Sequence, residues 1–178
     1  MQGAVTEKDS LVMNEPIEQK FESLEWHDAT LLGVDIVRAT RANGGEMTVE
    51  RIQLKKNREL VIHSMEPSAA LVMSSAFGAL LPAYDAEERQ QAMSMAADLI
   101  RGGCIEFCCV GPESERLHDE LDDVIVEHGA LDVVTTWDEE PHEAVEYFLF
   151  AATAGRGNLL ALVQAHPELE ALLRQVRE

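Results

Sequence analysis

Residues 104–110, with the sequence CIEFCCV, decide the fold class. Every residue in this segment except Glu106 is apolar, which is typical of a strand buried on both faces of a sheet. The segment before it predicts a helix, because Asp85 is a good N-cap and Glu88, three residues on, completes a capping-box pattern. That helix runs to about Arg101, and the glycine pair that follows ends it. The chain therefore enters a buried strand directly from a helix.

The same alternation continues after the strand. Gly111-Pro112 opens a second helix that Gly129 ends, residues 131–137 form the next strand, and Pro141 opens a third helix. A short apolar segment at residues 69–74 supplies a strand before the first helix. Strands and helices that alternate at this spacing predict a right-handed parallel βαβαβα unit in three layers, similar to a small Rossmann fold.

The first half of the chain has a different pattern. Residues 29–39, 47–54 and 59–63 alternate or are rich in β-branched residues, and Asn43-Gly44-Gly45 between the first two is a hairpin turn. These three strands predict an antiparallel meander. The predicted class is α/β, with the meander joined to the parallel unit.

We divide the chain into four parts on this basis. Residues 1–20 are a flexible leader, 21–66 the β-meander, 67–155 the parallel α/β unit, and 156–178 a tail of one or two helices. Residues 21–178 are expected to form one compact unit. Periodicity does not decide whether the two halves share one sheet, because that depends on the pairing of edge strands.

Composition excludes several classes of protein. The chain has 178 residues with 14 Lys+Arg and 33 Asp+Glu, so the net charge is 14 − 33 = −19. This sign of charge repels phosphate, so no nucleic acid is expected as a partner. No signal peptide is visible, and the longest weakly polar stretch, residues 69–83, is too short to span a bilayer. We expect a cytoplasmic protein without a membrane partner.

Charge is distributed unevenly along the chain. Residues 113–146 contain 13 acids and one base, Arg116, a net charge of 1 − 13 = −12. Residues 38–58 contain six bases and two acids, a net charge of 6 − 2 = +4. A concentrated acidic face attracts a basic partner and accelerates the encounter. Overall acidity that serves solubility alone is the competing interpretation.

Two stretches carry a resemblance to known families. Trp26-His27-Asp28-Ala29 followed by a strand resembles the opening of small bacterial proteins, some of them from toxin–immunity neighbourhoods. Residues 69–152 resemble an uncharacterised bacterial α/β domain family through Gly102-Gly103-Cys104, Glu115-Arg116-Leu117-His118-Asp119, Asp122-Asp123, Thr135-Thr136-Trp137 and residues 143–148. The second resemblance implies a three-layer α/β domain and carries no catalytic residues.

The second helix offers candidate binding residues. Its solvent face is expected to carry His118 and four acids: Glu115, Asp119, Asp122 and Asp123. His118 and Asp122 stand four residues apart, a spacing at which they could share a metal ion, but no second histidine completes a zinc signature. A solvated acidic face and a partner-binding surface are the other interpretations, and no metal is predicted.

A second candidate follows the strand at 131–137. Six residues lie at or beyond its carboxyl end: Thr135, Thr136, Trp137, Asp138, Glu139 and Glu140. Ligands in open α/β sheets bind beyond this end, where the strand order reverses. A phosphate cradle is not expected, because the loops are acidic and poor in glycine, and no cofactor is predicted. Alternatively, Asp138 caps the next helix and Trp137 covers the sheet edge.

Two further groups favour structural roles. Cys104, Cys108 and Cys109 cannot chelate zinc from one strand, so we interpret them as small apolar core residues. His27 and Asp28 are adjacent and their side chains diverge, so a histidine bonded in a strand-entry turn is favoured over a catalytic pair.

Three functions follow from these observations. The first is a non-enzymatic protein-binding module, similar to an immunity protein, whose acidic surface docks a basic protein partner. The second is a homodimer or larger homo-oligomer that pairs through its C-terminal helices, using Leu159, Leu160, Leu162, Val163, Leu169, Leu172, Leu173 and Val176. The third is a small-ligand protein or metal-dependent enzyme with its site at the carboxyl ends of the parallel strands. No catalytic residue is assigned.

Overall fold

The computed structural model describes residues 34–40, 46–54, 57–65, 73–163 and 165–175. The predicted leader, the segment with His27 and Asp28, and the turn at residues 43–45 lie outside the described residues.

The described strands form a single mixed sheet. Seven strands are present: β1 (Val34–Thr40), β2 (Glu46–Gln53), β3 (Glu59–Ile62), β4 (Phe77–Pro82), β5 (Cys104–Val110), β6 (Val134–Asp138) and β7 (Asn158–Ala161). Their order across the sheet is β1-β2-β3-β7-β4-β5-β6. The first two pairings are antiparallel, which confirms the meander. The other four pairings are parallel, as predicted for the second half.

The two halves share the sheet through β7. This strand pairs in parallel with β3 on one side and with β4 on the other. Residues 158–161 were expected to begin the helical tail, and that expectation is wrong. The apolar run LLALV at 159–163 fits a helix stripe or a buried strand equally well by periodicity, and a central position between two strands buries it on both faces.

Four helices cover the two faces of the sheet: α1 (Ala86–Arg101), α2 (Ser114–Glu127), α3 (Pro141–Phe150) and α4 (Pro167–Arg174). One core lies under α1 and α2 and contains Leu99, Leu117 and Phe107. The other lies under α3 and α4 and contains Phe148 and Leu169. This is the three-layer architecture that the alternation of strands and helices predicts.

Two strand positions differ from the prediction. Residues 73 and 74, assigned to a strand at 69–74, are not in a strand, and residues 69–72 lie outside the described residues. The strand begins instead at Phe77, where every residue through Pro82 is buried. The strand predicted at 131–137 begins at Val134. The helix starts are better placed, since the carboxylate of Asp85 accepts hydrogen bonds from the N–H groups of Glu87 and Glu88.

The C-terminal apolar residues are largely used within the chain. Leu159, Leu160, Leu162, Val163, Leu169 and Leu173 are buried in the two cores. Leu172 is half-buried, and Val176 lies outside the described residues. A dimer through the C-terminal helices stays a prediction, and most of the side chains assigned to it are covered by this chain's own sheet.

Candidate functional site

The structure brings the predicted acidic residues to one edge of the sheet, around the edge strand β6. We call the acids of residues 113–146 on α2, β6, α3 and their connections the acidic surface. Glu115, Asp119, Asp122 and Asp123 are exposed along α2, and Glu139 and Glu140 are exposed between β6 and α3. His118 and Asp138 are half-buried.

A hydrogen bond ties α2 to the edge strand. The hydroxyl of Thr135 donates to Oδ1 of Asp122 at 2.6 Å. Nε2 of His118 lies 3.9 Å from Oδ2 of the same carboxylate. Asp122 therefore contacts candidate residues of both kinds, those on α2 and those on β6. The sequence predicts these as two separate sites.

Two other strand-end residues have local roles. The carboxylate of Asp138 accepts the N–H of Glu140 at 2.8 Å, in the turn that leads into α3. The hydroxyl of Thr136 lies 3.5 Å from the carbonyl of Phe107 on the neighbouring strand. Asp138 is therefore not the N-cap of α3, as one interpretation of the sequence had it: the N-cap is Glu140, and Asp138 bonds within the turn before it.

Arginine neutralises only part of the acidic surface. The buried guanidinium of Arg89, on α1, pairs with Glu113 and Glu120, and Arg116 pairs with Glu120. Within the described parts of the chain, these two arginines are the ones that pair with the acidic surface. Most of its carboxylates therefore face solvent without a cation, and their field extends outward.

Exposed apolar side chains accompany this charge. Seven large hydrophobic residues are exposed in the described structure, and all of them lie between residues 105 and 150: Ile105, Val126, Leu131, Val134, Trp137, Tyr147 and Phe150. Val134 and Trp137, on β6 itself, are 53% and 42% exposed. Exposed apolar side chains in the same region as exposed charges are common on surfaces that bind another macromolecule.

The strand order does not reverse at the loops after β5 and β6, where the sequence predicts a ligand site. From β4 the chain proceeds through β5 to β6 at the edge, and then returns across the opposite face to β7, beside β4. The reversal therefore lies between β4 and β7. The loops after β5 and β6 do share one edge, but they are not at the topological switch point that favours ligand binding.

A cleft of about 200 Å³ lies at the true switch point. Apolar residues of the β4 and β7 ends form part of its wall, and its polar lining comes from Ser64, Glu88, Gln91 and His166. Nε2 of His166 is 2.8 Å from Oε1 of Glu88, and the N–H of Tyr84 donates to the other Glu88 oxygen, also at 2.8 Å. The Tyr84 ring stacks on His166 with centroids 4.8 Å apart.

Charge and burial act on Tyr84, which stacks on His166 of this cleft. The pKa of Tyr84 is raised because burial disfavours the phenolate, and the carboxylates of Glu168 and Glu88 add to the effect. Tyr84 therefore stays a neutral hydroxyl beside the Glu88–His166 pair near pH 7.

Sequence reasoning missed this cleft. Glu88 was recognised only as a helix-capping residue, and His166 was placed within a helical tail. With residues 158–161 in a strand, His166 lies in the loop beyond its carboxyl end, at the same end of the parallel strands as Tyr84, which follows β4. Tyr84 and His166 come together only because residues 158–161 form this strand.

The cysteines occupy the core, as interpreted from the sequence. Cys104, Cys108 and Cys109 are buried free thiols. Burial raises the pKa of all three, that of Cys108 to about 12. A thiol held in its protonated form is a weak nucleophile, so these residues act as small apolar side chains.

The described residues contain neither a cluster of metal-binding side chains nor a membrane-spanning helix. Across residues 34–175, gaps excepted, no three His, Cys, Asp or Glu side chains gather closely enough to hold a metal ion. In the same residues, no helix has both the length and the apolar character needed to cross a membrane.

The fold and site define a mixed α/β domain with an acidic, partly apolar sheet edge and a small cleft at its switch point. The sequence matches the family model described as Domain of unknown function (DUF7684) over residues 49–175, so the chain belongs to this family. The expectation of an uncharacterised domain family is confirmed, and the match extends beyond residues 69–152, from β2 to the end of α4. No curated protein matches the sequence.

Proposed function

We propose that this protein is a non-enzymatic protein-binding module that docks a basic partner on its acidic surface. The observation that carries the proposal is the acidic surface itself, with a net charge of −12 over residues 113–146 gathered at one edge of the sheet. The presence of both exposed apolar and exposed acidic side chains in this region supports a macromolecular partner over a small ion.

The charges and the apolar residues would contribute differently. Carboxylates at the rim accelerate encounter with a cationic partner, and salt weakens this effect. Exposed aromatic side chains such as Trp137 supply affinity when the partner covers them. The proposal therefore predicts a complex that forms more slowly and less tightly in high salt but retains an apolar contribution.

Neutralising five acids of the surface together tests this proposal. The variant combines Asp119→Asn, Asp122→Asn, Asp123→Asn, Glu139→Gln and Glu140→Gln. Tagged wild-type and variant proteins are used to capture partners from source lysate at low and high salt, and affinity for the captured partner is then measured by calorimetry. We expect a basic partner at low salt, and about ten-fold or weaker binding by the variant.

A matched control separates local charge from net charge. Neutralising Glu7, Asp9, Glu15, Glu18 and Glu22 changes the net charge by the same amount, from −19 to −19 + 5 = −14, at positions outside the sequence range 113–146. We expect this control to keep wild-type affinity. Equal affinity of the wild type and the surface variant would count decisively against the proposal.

The switch-point cleft supports a second candidate function, binding of a small ligand. Ala165 is exposed and lines the cleft, so Ala165→Trp is expected to fill it without disturbing either core. Thermal unfolding with a library of small organic metabolites is the measurement. A ligand of this cleft should raise the Tm of the wild type and leave the variant unchanged. A library without a hit, or an equal shift in both proteins, removes this candidate.

A further inference from the structure

Within the acidic surface, the edge strand β6 is the element whose main-chain geometry indicates how a partner could bind. It pairs with β5 on one side, and no strand lies beyond it in the described sheet. The carbonyl of Asp138 accepts the N–H of Gly111 at 3.2 Å, so the main chain of Asp138 faces β5. Because strand residues alternate, Thr136 and Val134 also face β5, whereas Thr135 and Trp137 direct their N–H and C=O groups to the open side.

Three of the usual protections against another strand, namely Lys, Pro and a β-bulge, are absent from β6. Its sequence VTTWD contains no Lys and no Pro, and its register with β5 runs without a bulge. Its side chains on both faces are accessible, since Val134 and Trp137 are 53% and 42% exposed. An added strand could therefore bond to the open groups and cover the Trp137 side chain on one face of β6.

We propose that the partner contributes an extended segment that pairs with β6 as an added strand and alternates apolar residues with Lys or Arg. This inference rests on the proposed function and specifies its partner. Because the side chains of a strand alternate between its two faces, the apolar residues of the segment would pack on Trp137. Its cations would lie on the opposite face, beside Val134 and the carboxylate of Asp138.

Charge decides between this occupant and a second copy of the chain. Pairing β6 with the β6 of another copy would place two surfaces of −12 against each other. Like charges placed opposite each other across paired strands destabilise the pairing. A basic segment removes this repulsion and gains attraction, so it is the favoured occupant.

The test uses a defined probe, the peptide KVKVKVK with blocked ends. Thr135→Pro deletes one open N–H while leaving the main-chain bonds to β5 intact. Thr135→Ala is its matched control, because it also loses the hydroxyl that bonds Asp122. We expect the peptide to bind the wild type and Thr135→Ala similarly, and Thr135→Pro about ten-fold more weakly or worse. Thermal unfolding establishes that each variant is folded.

Two further measurements do not depend on that variant. Amide hydrogen exchange on the wild type should slow at Thr135 and Trp137 when the peptide binds. A peptide of the same charge with N-methylated valines, which cannot form a strand ladder, should bind about ten-fold more weakly or worse.

The outcomes separate this inference from the proposed function. Equal binding of both peptides, or unprotected amides at Thr135 and Trp137 in the complex, overturns strand addition and leaves charge-driven docking. Absence of peptide binding also overturns it. A dimer that Thr135→Pro converts to monomer would identify a second copy as the occupant and overturn it too. Equal affinity of the peptide for the wild type and the five-acid variant contradicts the proposed function instead.

Discussion

Replacing Arg58 with Met is expected to lower the free energy of unfolding by about 3 kcal/mol and the Tm by roughly 6–12 °C. Arg58 lies between β2 and β3 and is 6% exposed. Its Nε donates to the carbonyl of Gly157 at 2.7 Å, and Nη1 and Nη2 donate to the carbonyls of Leu149 and Ala152 at 3.0 and 3.4 Å. The substitution removes all three bonds and leaves buried acceptors without these donors.

The position of Arg58 explains the size of the expected effect. Its acceptors belong to the last turn of α3 and to the turn before β7, where helix carbonyls lack intrahelical donors. A positive charge there also interacts favourably with the helix dipole. Burial lowers the pKa of Arg58, but a guanidinium remains charged at neutral pH. The side chain thereby joins the antiparallel half of the sheet to the parallel half.

Denaturant unfolding of matched variants checks this prediction. Arg101→Met is the control, because Arg101 is exposed and its pair with Asp98 lies on the surface, where such pairs contribute less than about 1 kcal/mol. Arg58→Lys should show an intermediate loss, since a lysine ammonium keeps the charge without the planar fork. If Arg58→Met is no less stable than Arg101→Met, the three carbonyls do not depend on this arginine.

Local patterns predicted the parts of the fold that local interactions determine. The capping pattern of Asp85 and Glu88 placed the start of α1, because both carboxylates bond to nearby main-chain groups. The apolar run at 104–110 indicated a strand buried on both faces, and it is β5. The three strands of the meander were found for the same reason, since strand alternation is a local property.

The parts that depend on distant pairing were not predicted. Strand β7 joins the two halves only because it lies between β3 and β4, about 100 and 80 residues away in sequence. Nothing local distinguishes its apolar run from a helix stripe. The switch-point cleft was not predicted for the same reason, since His166 contacts Glu88 only when β7 lies between β3 and β4. The acidic surface was visible because its charge lies in one continuous stretch of sequence.

The second large effect is expected at Glu106, the one polar residue of the apolar strand β5. Glu106→Ala should lower the free energy of unfolding by about 4 kcal/mol. The carboxylate is buried, and it accepts the N–H of Thr153 at 2.6 Å and the hydroxyl of Tyr147 at 2.8 Å. Thr153 and Ala154 have left-handed backbone angles, with φ of 57° and 52°. Such angles are unfavourable for residues other than glycine, so the turn before β7 depends on this carboxylate to hold it.

The isosteric variant Glu106→Gln separates the effect of the carboxylate's charge and hydrogen bonds from the effect of the side chain's volume. An amide has one oxygen to accept a bond and presents an NH₂ to the second donor, so we expect a loss of about 2 kcal/mol. Tyr147→Phe removes only the exposed donor and should cost less than about 1 kcal/mol. Denaturant unfolding of the three variants is the measurement that checks these expected losses.

Titration of the tyrosines supplies an independent measurement. Burial, and after it the bond to Glu106, raises the pKa of Tyr147 to about 12. In Glu106→Gln the negative charge is gone, so ultraviolet titration should show this pKa falling toward 10 while burial keeps it above. A Glu106→Gln protein as stable as the wild type would mean that the free-energy cost of burying the charge offsets the stability that its hydrogen bonds contribute. In that case the left-handed turn is held by the packing of Thr153 against Gly78 and Gly157 instead, because a Cβ at either glycine would approach Thr153 within about 3 Å.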